Sequence, residues 1–357
     1  MRLEELGWDD ERTREMEPWA GKLAHHPGRV LIGFNYLYRV AIPSGEIDAV
    51  LAGRLKHHAV RRGELPAVGD WVIVRRRPEE DRGAIVAVLP RRSRFSRRMA
   101  GNVTDEQVVA ANVDVIFIVM GLDDDFSIRR LERYLLMARE SGAAPVVLLT
   151  KPDLGADLGA AVAEVQAAAG DVPVHAVSPK YGQGIEQVAQ YVQPGKTAAL
   201  LGSSGVGKST IINRLVGSDV RKTREVRESD SKGRHTTTHR ELVVLPNGGL
   251  VIDTPGMREL QLWEAGESVR DTFEDVEALA ADCHFSDCRH RDEPRCAVKA
   301  AVDEGRLAPE RLASYLQLQE ELAFLARQQD ERAQIEEKRR GRIGARALRQ
   351  HLKSKRI

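Results

Sequence analysis

The stretch Leu200–Thr210, LLGSSGVGKST, constrains this 357-residue chain more than any other. Gly202, Gly207, Lys208 and Ser209 fit the pattern G-x-x-x-x-G-K-[ST]. An apolar run, Thr197–Leu201, precedes it, and a helical pattern with Ile211, Ile212 and Leu215 follows. Strand, loop and helix in that order are the setting in which such a loop holds nucleotide phosphate. The loop residues Gly202, Ser203, Ser204, Gly205, Val206, Gly207, Lys208, Ser209 and Thr210 can turn their backbone N–H groups into one concavity at a helix N-terminus, where partial positive charge stabilises phosphate oxygens. Lys208 is expected to reach the β and γ phosphates as a catalytic and binding cation, and Ser209 to ligate Mg2+.

A phosphate site needs a domain around it, and the length allows two or three of ordinary size. With 54 Lys and Arg against 53 Asp and Glu, the net charge is +1. Attraction to nucleic acid must therefore come from local patches. No apolar stretch approaches the length of a membrane span, and the N-terminus is acidic and polar, so a cytoplasmic protein with no membrane partner is expected. All three cysteines lie between 283 and 296, which favours a metal site over a disulfide framework.

The chain divides by pattern. Residues 1–28 read as a short helical extension whose role the sequence does not reveal. Residues 29–100 contain the alternating runs RVLIGFNYLYRVAI, DAVLAGRL, GDWVIVRRR and GAIVAVLP; about five short strands between turn signals predict a small barrel of the oligonucleotide-binding (OB) type. Lys56, His57, His58, Arg61, Arg62, Arg75, Arg76 and Arg77, then Arg91, Arg92, Arg94, Arg97 and Arg98 around Phe95, make it a candidate RNA surface. Residues 101–265 switch to buried strands alternating with helices, an α/β domain, with a hairpin over ELVVL and GLVIDTPG. Residues 266–357 are helical around the cysteine cluster and end in a basic tail, Lys338–Ile357, with nine Lys or Arg and no acid. Contact with RNA phosphates would release counterions from such a tail.

Three motifs join the phosphate loop. Asp253, Thr254, Pro255 and Gly256 end an apolar strand; the carboxylate is expected to hold Mg2+ through water, and the Gly256 N–H to meet the γ phosphate. Thr150, Lys151, Pro152 and Asp153 resemble the guanine motif Asn-Lys-x-Asp, with a hydroxyl in place of the amide. Asp153 can accept from both N1–H and the exocyclic amine of guanine; adenine lacks that pair of donors and leaves a buried acceptor unpaired. Ser178 and Lys180 follow the next strand and resemble the second guanine-contacting loop. The guanine motifs thus precede the phosphate loop, the reverse of the ordinary order, so the domain reads as circularly permuted. Cys283, Cys288, His290 and Cys296 have the spacing of a closed tetrahedral zinc site, with His284 as a rival fourth ligand.

These motifs, with VGD at 68–70, LPRRS at 89–93, ANVD at 111–114, ERYL at 132–135, GRHTTT at 233–238, DTPGMREL at 253–260 and CAVKAAV at 296–302, resemble the ribosome small subunit-dependent GTPase A (RsgA/YjeQ) family. The resemblance implies an N-terminal OB barrel, a permuted GTPase domain and a C-terminal zinc domain. It also implies GTP hydrolysis with Mg2+, one structural Zn2+, action on the maturing small ribosomal subunit and its rRNA, and release on hydrolysis. By position it makes 233–238 the first switch, with Thr236 or Thr237 meeting Mg2+. Met257 stands where many GTPases place a water-orienting glutamine, which leaves His235 as the candidate water-positioning residue. Without that glutamine, hydrolysis should be slow alone and faster on the subunit; a monomer is the default for such a switch. Two other readings are a P-loop ATPase and a zinc-bearing RNA-binding protein with a vestigial nucleotide site. Asp153 and Ser178 argue against the first, and Lys208, Ser209 and Asp253 against the second.

Overall fold

The structure, a computed structural model, describes residues 2–34, 36–58, 62–76, 82–99, 102–155, 157–217, 240–253, 269, 272–323 and 327. The expected switch residues His235, Thr236, Thr237 and Gly256, and the basic tail, lie outside them. The chain divides into two compact units between residues 261 and 262.

In the first unit, β1 (His25–Phe34), β2 (Leu37–Ile42), β3 (Gly45–Leu51), β4 (Trp71–Arg75) and β5 (Gly83–Val88) pair in the order β1-β2-β3-β5-β4, and β1 also pairs with β4. That pairing closes the barrel. Val30, Val40, Ile42, Ile47, Val72, Val74 and Ile85 form its buried core. A hairpin, β6 (Arg94–Met99) and β7 (Asn102–Ala111), follows. The expected boundary at residue 100 lies outside the described residues.

The α/β sheet comprises β8 (Val115–Gly121), β9 (Ala144–Thr150), β10 (Val174–Val177), β11 (Thr197–Leu201), β12 (Arg240–Val244) and β13 (Leu250–Asp253), ordered β10-β9-β8-β11-β13-β12. All are parallel except β12, which is antiparallel to β13. Continuous apolar runs such as VIFIVMG suit strands covered on both faces. The helices α1 (Asp10–Met16) and α2 (Gly53–His58) belong to the extension and barrel. The α/β part carries α3 (Ile128–Ser141), α4 (Leu158–Ala169), α5 (Ile185–Gln190) and α6, residues 208–217. The side chains of Ser127 and Asp157 cap α3 and α4 by accepting from backbone N–H groups three residues on.

Barrel and α/β sheet are joined by main chain. Ile32 and Gly33 of β1 pair with Glu241 and Arg240 of β12, so one eleven-stranded sheet runs through both. Beneath this seam lies Arg29, fully buried. Its Nε donates to Gly69 O at 3.2 Å, Nη1 to Leu6 O, and Nη2 to Asn112 O at 3.1 Å and Thr197 Oγ1 at 2.8 Å. Burial pulls its pKa down to about 10. Trp71 packs under the same guanidinium at 5.2 Å and meets Trp8 edge-on at 5.0 Å. Residues 2–20 are thereby docked: Leu3 and Leu6 are buried, and Arg12 donates to Pro90 O at 2.5 Å and Asn112 Oδ1 at 2.8 Å. Gly69 has φ +89°, and a Cβ there would stand 2.2 Å from Ala111 O, so this crossing requires glycine.

In the second unit, α7 (Glu274–Ala280), α8 (Ala297–Asp303) and α9, residues 309–323, enclose Phe273, Val276, Val298 and Tyr315. Arg311 grips Asp275 with two nitrogens, at 3.0 and 2.8 Å, and lies 4.3 Å over the Phe273 ring.

Arg29→Met should cost about 3 kcal/mol or more of stability, because it leaves the Leu6, Gly69 and Asn112 carbonyls buried without this donor. Urea unfolding against wild type checks this.

Candidate active site and metal centre

Strands β8, β9, β10, β11 and β13 run parallel, so the loops leaving their carboxyl ends share one edge of the sheet, where ligands of open α/β sheets bind. The phosphate loop, the Thr150–Asp153 turn, the Ser178–Lys180 turn and Asp253 all lie on that edge.

The phosphate loop takes its shape from close packing on β8. Gly202 has φ +153°, and a Cβ there would sit 2.2 Å from Val119 O. Val206 is buried in the core of the α/β sheet and pins the loop's middle, whereas Ser204, Gly205, Ser209 and Thr210 are exposed. Lys208 Nζ donates to Gly202 O at 2.7 Å and Ser203 O at 2.5 Å, so the ammonium lies across the loop's first turn.

The guanine-type motifs are tied to this loop by hydrogen bonds. Thr150 is buried, and its Oγ1 lies 2.7 Å from Val206 O and 3.3 Å from Met120 O. A hydroxyl has one proton, and the shorter contact takes it. The hydroxyl at this position therefore fastens the turn after β9 to the loop at 202–210. Lys151 follows in the left-handed region, φ +57°, with Nζ 2.5 Å from Asp123 Oδ2. This lysine holds the Asp123 carboxyl below the usual carboxylate range. Asp153 is exposed in the turn after β9. Ser178 is buried and exchanges both backbone hydrogen bonds with Gln183, at 3.0 and 3.1 Å. Lys180 Nζ lies 5.2 Å from the Tyr181 ring.

Four residues of this edge carry no motif and escape sequence reasoning. Arg214 on α6 donates Nε to Pro179 O at 2.9 Å and Nη2 to Lys180 O at 2.7 Å, tying the second guanine-type turn to the helix behind the phosphate loop. Asp123, Asp125 and Arg130 build the turn between β8 and α3. The only signal for them is an acidic triplet at 123–125 after an apolar strand.

In the second unit, the ligand atoms of Cys283, Cys288, His290 and Cys296 lie within 4.8 Å of one another. Cys283 Sγ is 3.5 Å from His290 Nδ1 and 3.9 Å from Cys296 Sγ, and Nδ1 is 3.4 Å from Cys296 Sγ. With bonds of about 2.3 Å to sulfur and 2.0–2.1 Å to nitrogen, a tetrahedron has edges of about 3.8 Å between sulfurs and 3.5 Å between sulfur and nitrogen. The donor set fits Zn2+. His290 and Arg295 both take φ +59°, which curls the loop onto itself. His284 stands outside the cluster and packs on Phe285 at 4.8 Å. Cys296 Sγ also caps α8, accepting from Lys299 N at 3.5 Å.

Comparison with known proteins agrees with this arrangement. The RsgA GTPase family model matches residues 88–263. The small ribosomal subunit biogenesis GTPase RsgA of Opitutus terrae is 51% identical over 339 residues, covering 92% of each chain. The chain belongs to the RsgA GTPase family. Among solved structures, YjeQ from Thermotoga maritima is similar with a TM-score of 0.62 at 28% identity, over 84% of this chain and 99% of that one. YloQ, a circularly permuted GTPase, is similar with a TM-score of 0.56 at 25% identity, over 87% and 98%. As an RsgA-family protein the chain is a GTPase with a permuted α/β domain, an OB barrel before it and a Cys3His site after it.

Two outcomes follow from these contacts. Thr150→Val keeps the shape but removes the donor to Val206 O, and should weaken GDP binding about fivefold to tenfold, read by fluorescent-nucleotide titration. The purified chain should hold one zinc per molecule by atomic absorption, and chelation should melt residues 272–323 as a loss of helical circular dichroism.

Proposed function

We propose that the chain is a GTP-hydrolysing factor in small ribosomal subunit biogenesis, acting on the subunit during late maturation and leaving when GTP is hydrolysed. The observation that supports this reading is the hydrogen bond from the Thr150 hydroxyl to Val206 O, which ties the turn after β9 to the loop at 202–210. The names of the relatives, small ribosomal subunit biogenesis GTPase, supply the partner.

In this reading Asp153 accepts from guanine and rejects adenine, with Lys151, Ser178 and Lys180 beside the base. Lys208 leaves the Gly202 and Ser203 carbonyls for the β and γ phosphates. Ser209 and Asp253 hold Mg2+, directly and through water. Thr236 or Thr237, Gly256 and His235 complete the γ-phosphate side. Met257 cannot orient water, so the maturing subunit supplies part of the catalytic geometry and the free enzyme is slow.

The barrel would meet rRNA through Lys56 and His57 of α2 and Arg75 at the end of β4, and the basic tail would add phosphate contacts. Among the described residues no helix is long and apolar enough to cross a membrane. Work on ribosomal subunits in the cytoplasm by a monomer is the simplest setting.

GTP turnover with and without purified small subunits tests the reading. Subunits should stimulate turnover, ATP should not compete, and Lys208→Ala should abolish activity while His235→Ala should remove the stimulation. Equal hydrolysis of ATP, with no effect of subunits, would overturn it.

A further inference from the structure

The turn between β8 and α3 touches both halves of the nucleotide site. Its first carboxylate, Asp123, receives Lys151 Nζ from the guanine motif at 2.5 Å. Its third, Asp125, receives Arg130 Nη1 from the first turn of α3. The same Nη1 reaches Ser203 Oγ in the phosphate loop at 2.7 Å. Asp123 Oδ1 also accepts from Asp125 N at 3.3 Å, so the two carboxylates are set by one local fold. The Ser127 side chain caps the helix that carries Arg130, which fixes where the guanidinium starts from.

Ser203 is held from two sides. Its carbonyl accepts from Lys208 Nζ at 2.5 Å, and its hydroxyl meets Arg130. A phosphate in the loop draws Lys208 away from that carbonyl. Among the described residues, the side-chain hydrogen bond then left to the loop's first turn is the one from Arg130, whose guanidinium is also held by Asp125.

We propose that Arg130 is a positioning residue of the GTPase site: backed by Asp125, it holds Ser203 so that the phosphate loop keeps its binding shape when Lys208 turns to the nucleotide. The inference rests on the reading of residues 202–210 as the phosphate site. Arg130 meets the loop through a side chain and not through the phosphate concavity, so its effect is on nucleotide affinity, equally for GTP and GDP. Interactions made equally in ground and transition states change KM and leave kcat.

The test is a double-mutant cycle of Arg130→Ala and Ser203→Ala, read as GDP dissociation constants and as KM and kcat for GTP. Each single variant should weaken GDP and raise KM about tenfold with kcat within about twofold. The double variant should lose about tenfold, not a hundredfold, because both changes remove one contact. Arg130→Lys should recover part of the loss. Unchanged affinity in Arg130→Ala, additive losses in the double variant, or a fall in kcat at constant KM would each overturn the proposal. If Arg130→Ala fails to fold, Ser203→Ala alone decides, with a tenfold loss expected and unchanged affinity contradicting it. Failure of the wild-type chain to bind GDP would overturn the phosphate-site reading itself, whereas tight wild-type binding with an unaffected Arg130→Ala overturns only the role of Arg130.

Discussion

A cation taken wholly out of water is the constraint on which the first unit depends. Arg29 has given up its hydration, and the downward shift of its pKa to about 10 records the desolvation. Its acceptors come from four separate stretches: the N-terminal turn at Leu6, the barrel loop at Gly69, the linker at Asn112 and the first residue of β11 at Thr197. None is a carboxylate. The charge is accommodated only while all four stretches are in place, so the barrel, the extension and the strand leading into the phosphate loop are mutually conditional. Removing one donor set exposes several buried carbonyls at once, which is why such networks fail together.

The same logic of shared hydrogen bonds recurs at the nucleotide site. The phosphate loop is held at Val206 by Thr150 and at Ser203 by Arg130, while Arg214 behind it holds the second guanine-type turn. Three turns from distant parts of the chain are tied together along one edge of the sheet, which lowers the ordering cost of binding there. Strand β12 of the α/β sheet also pairs with β1 of the barrel through Ile32 and Gly33, so the sheet that carries this edge continues into the barrel.

Much of this was legible in residues 197–215 and 250–253, because a phosphate loop needs a fixed spacing of glycine, lysine and serine, and a buried parallel strand needs an unbroken apolar run. The cysteine spacing told as much about the metal centre, and the geometry separated His290 from His284. What the sequence withheld is equally physical. The docking of residues 2–20 depends on Leu3, Leu6 and Arg12 meeting partners up to 100 positions away, and such contacts have no period. Arg29 looks like any strand cation until Thr197, 168 residues later, is beside it. Thr150 reads as a departure from the guanine motif, and only the position of Val206 O shows that a hydroxyl serves there.

The central claim is that one sheet edge reads a guanine base with Asp153 while residues 202–210 hold its phosphates. Calorimetric titration of the zinc-loaded chain with GDP, inosine diphosphate and ADP in Mg2+ tests it most directly. The account predicts one GDP site per chain, inosine diphosphate at least about tenfold weaker because it lacks the exocyclic amine, and no measurable ADP binding. ADP binding as tightly as GDP would contradict it.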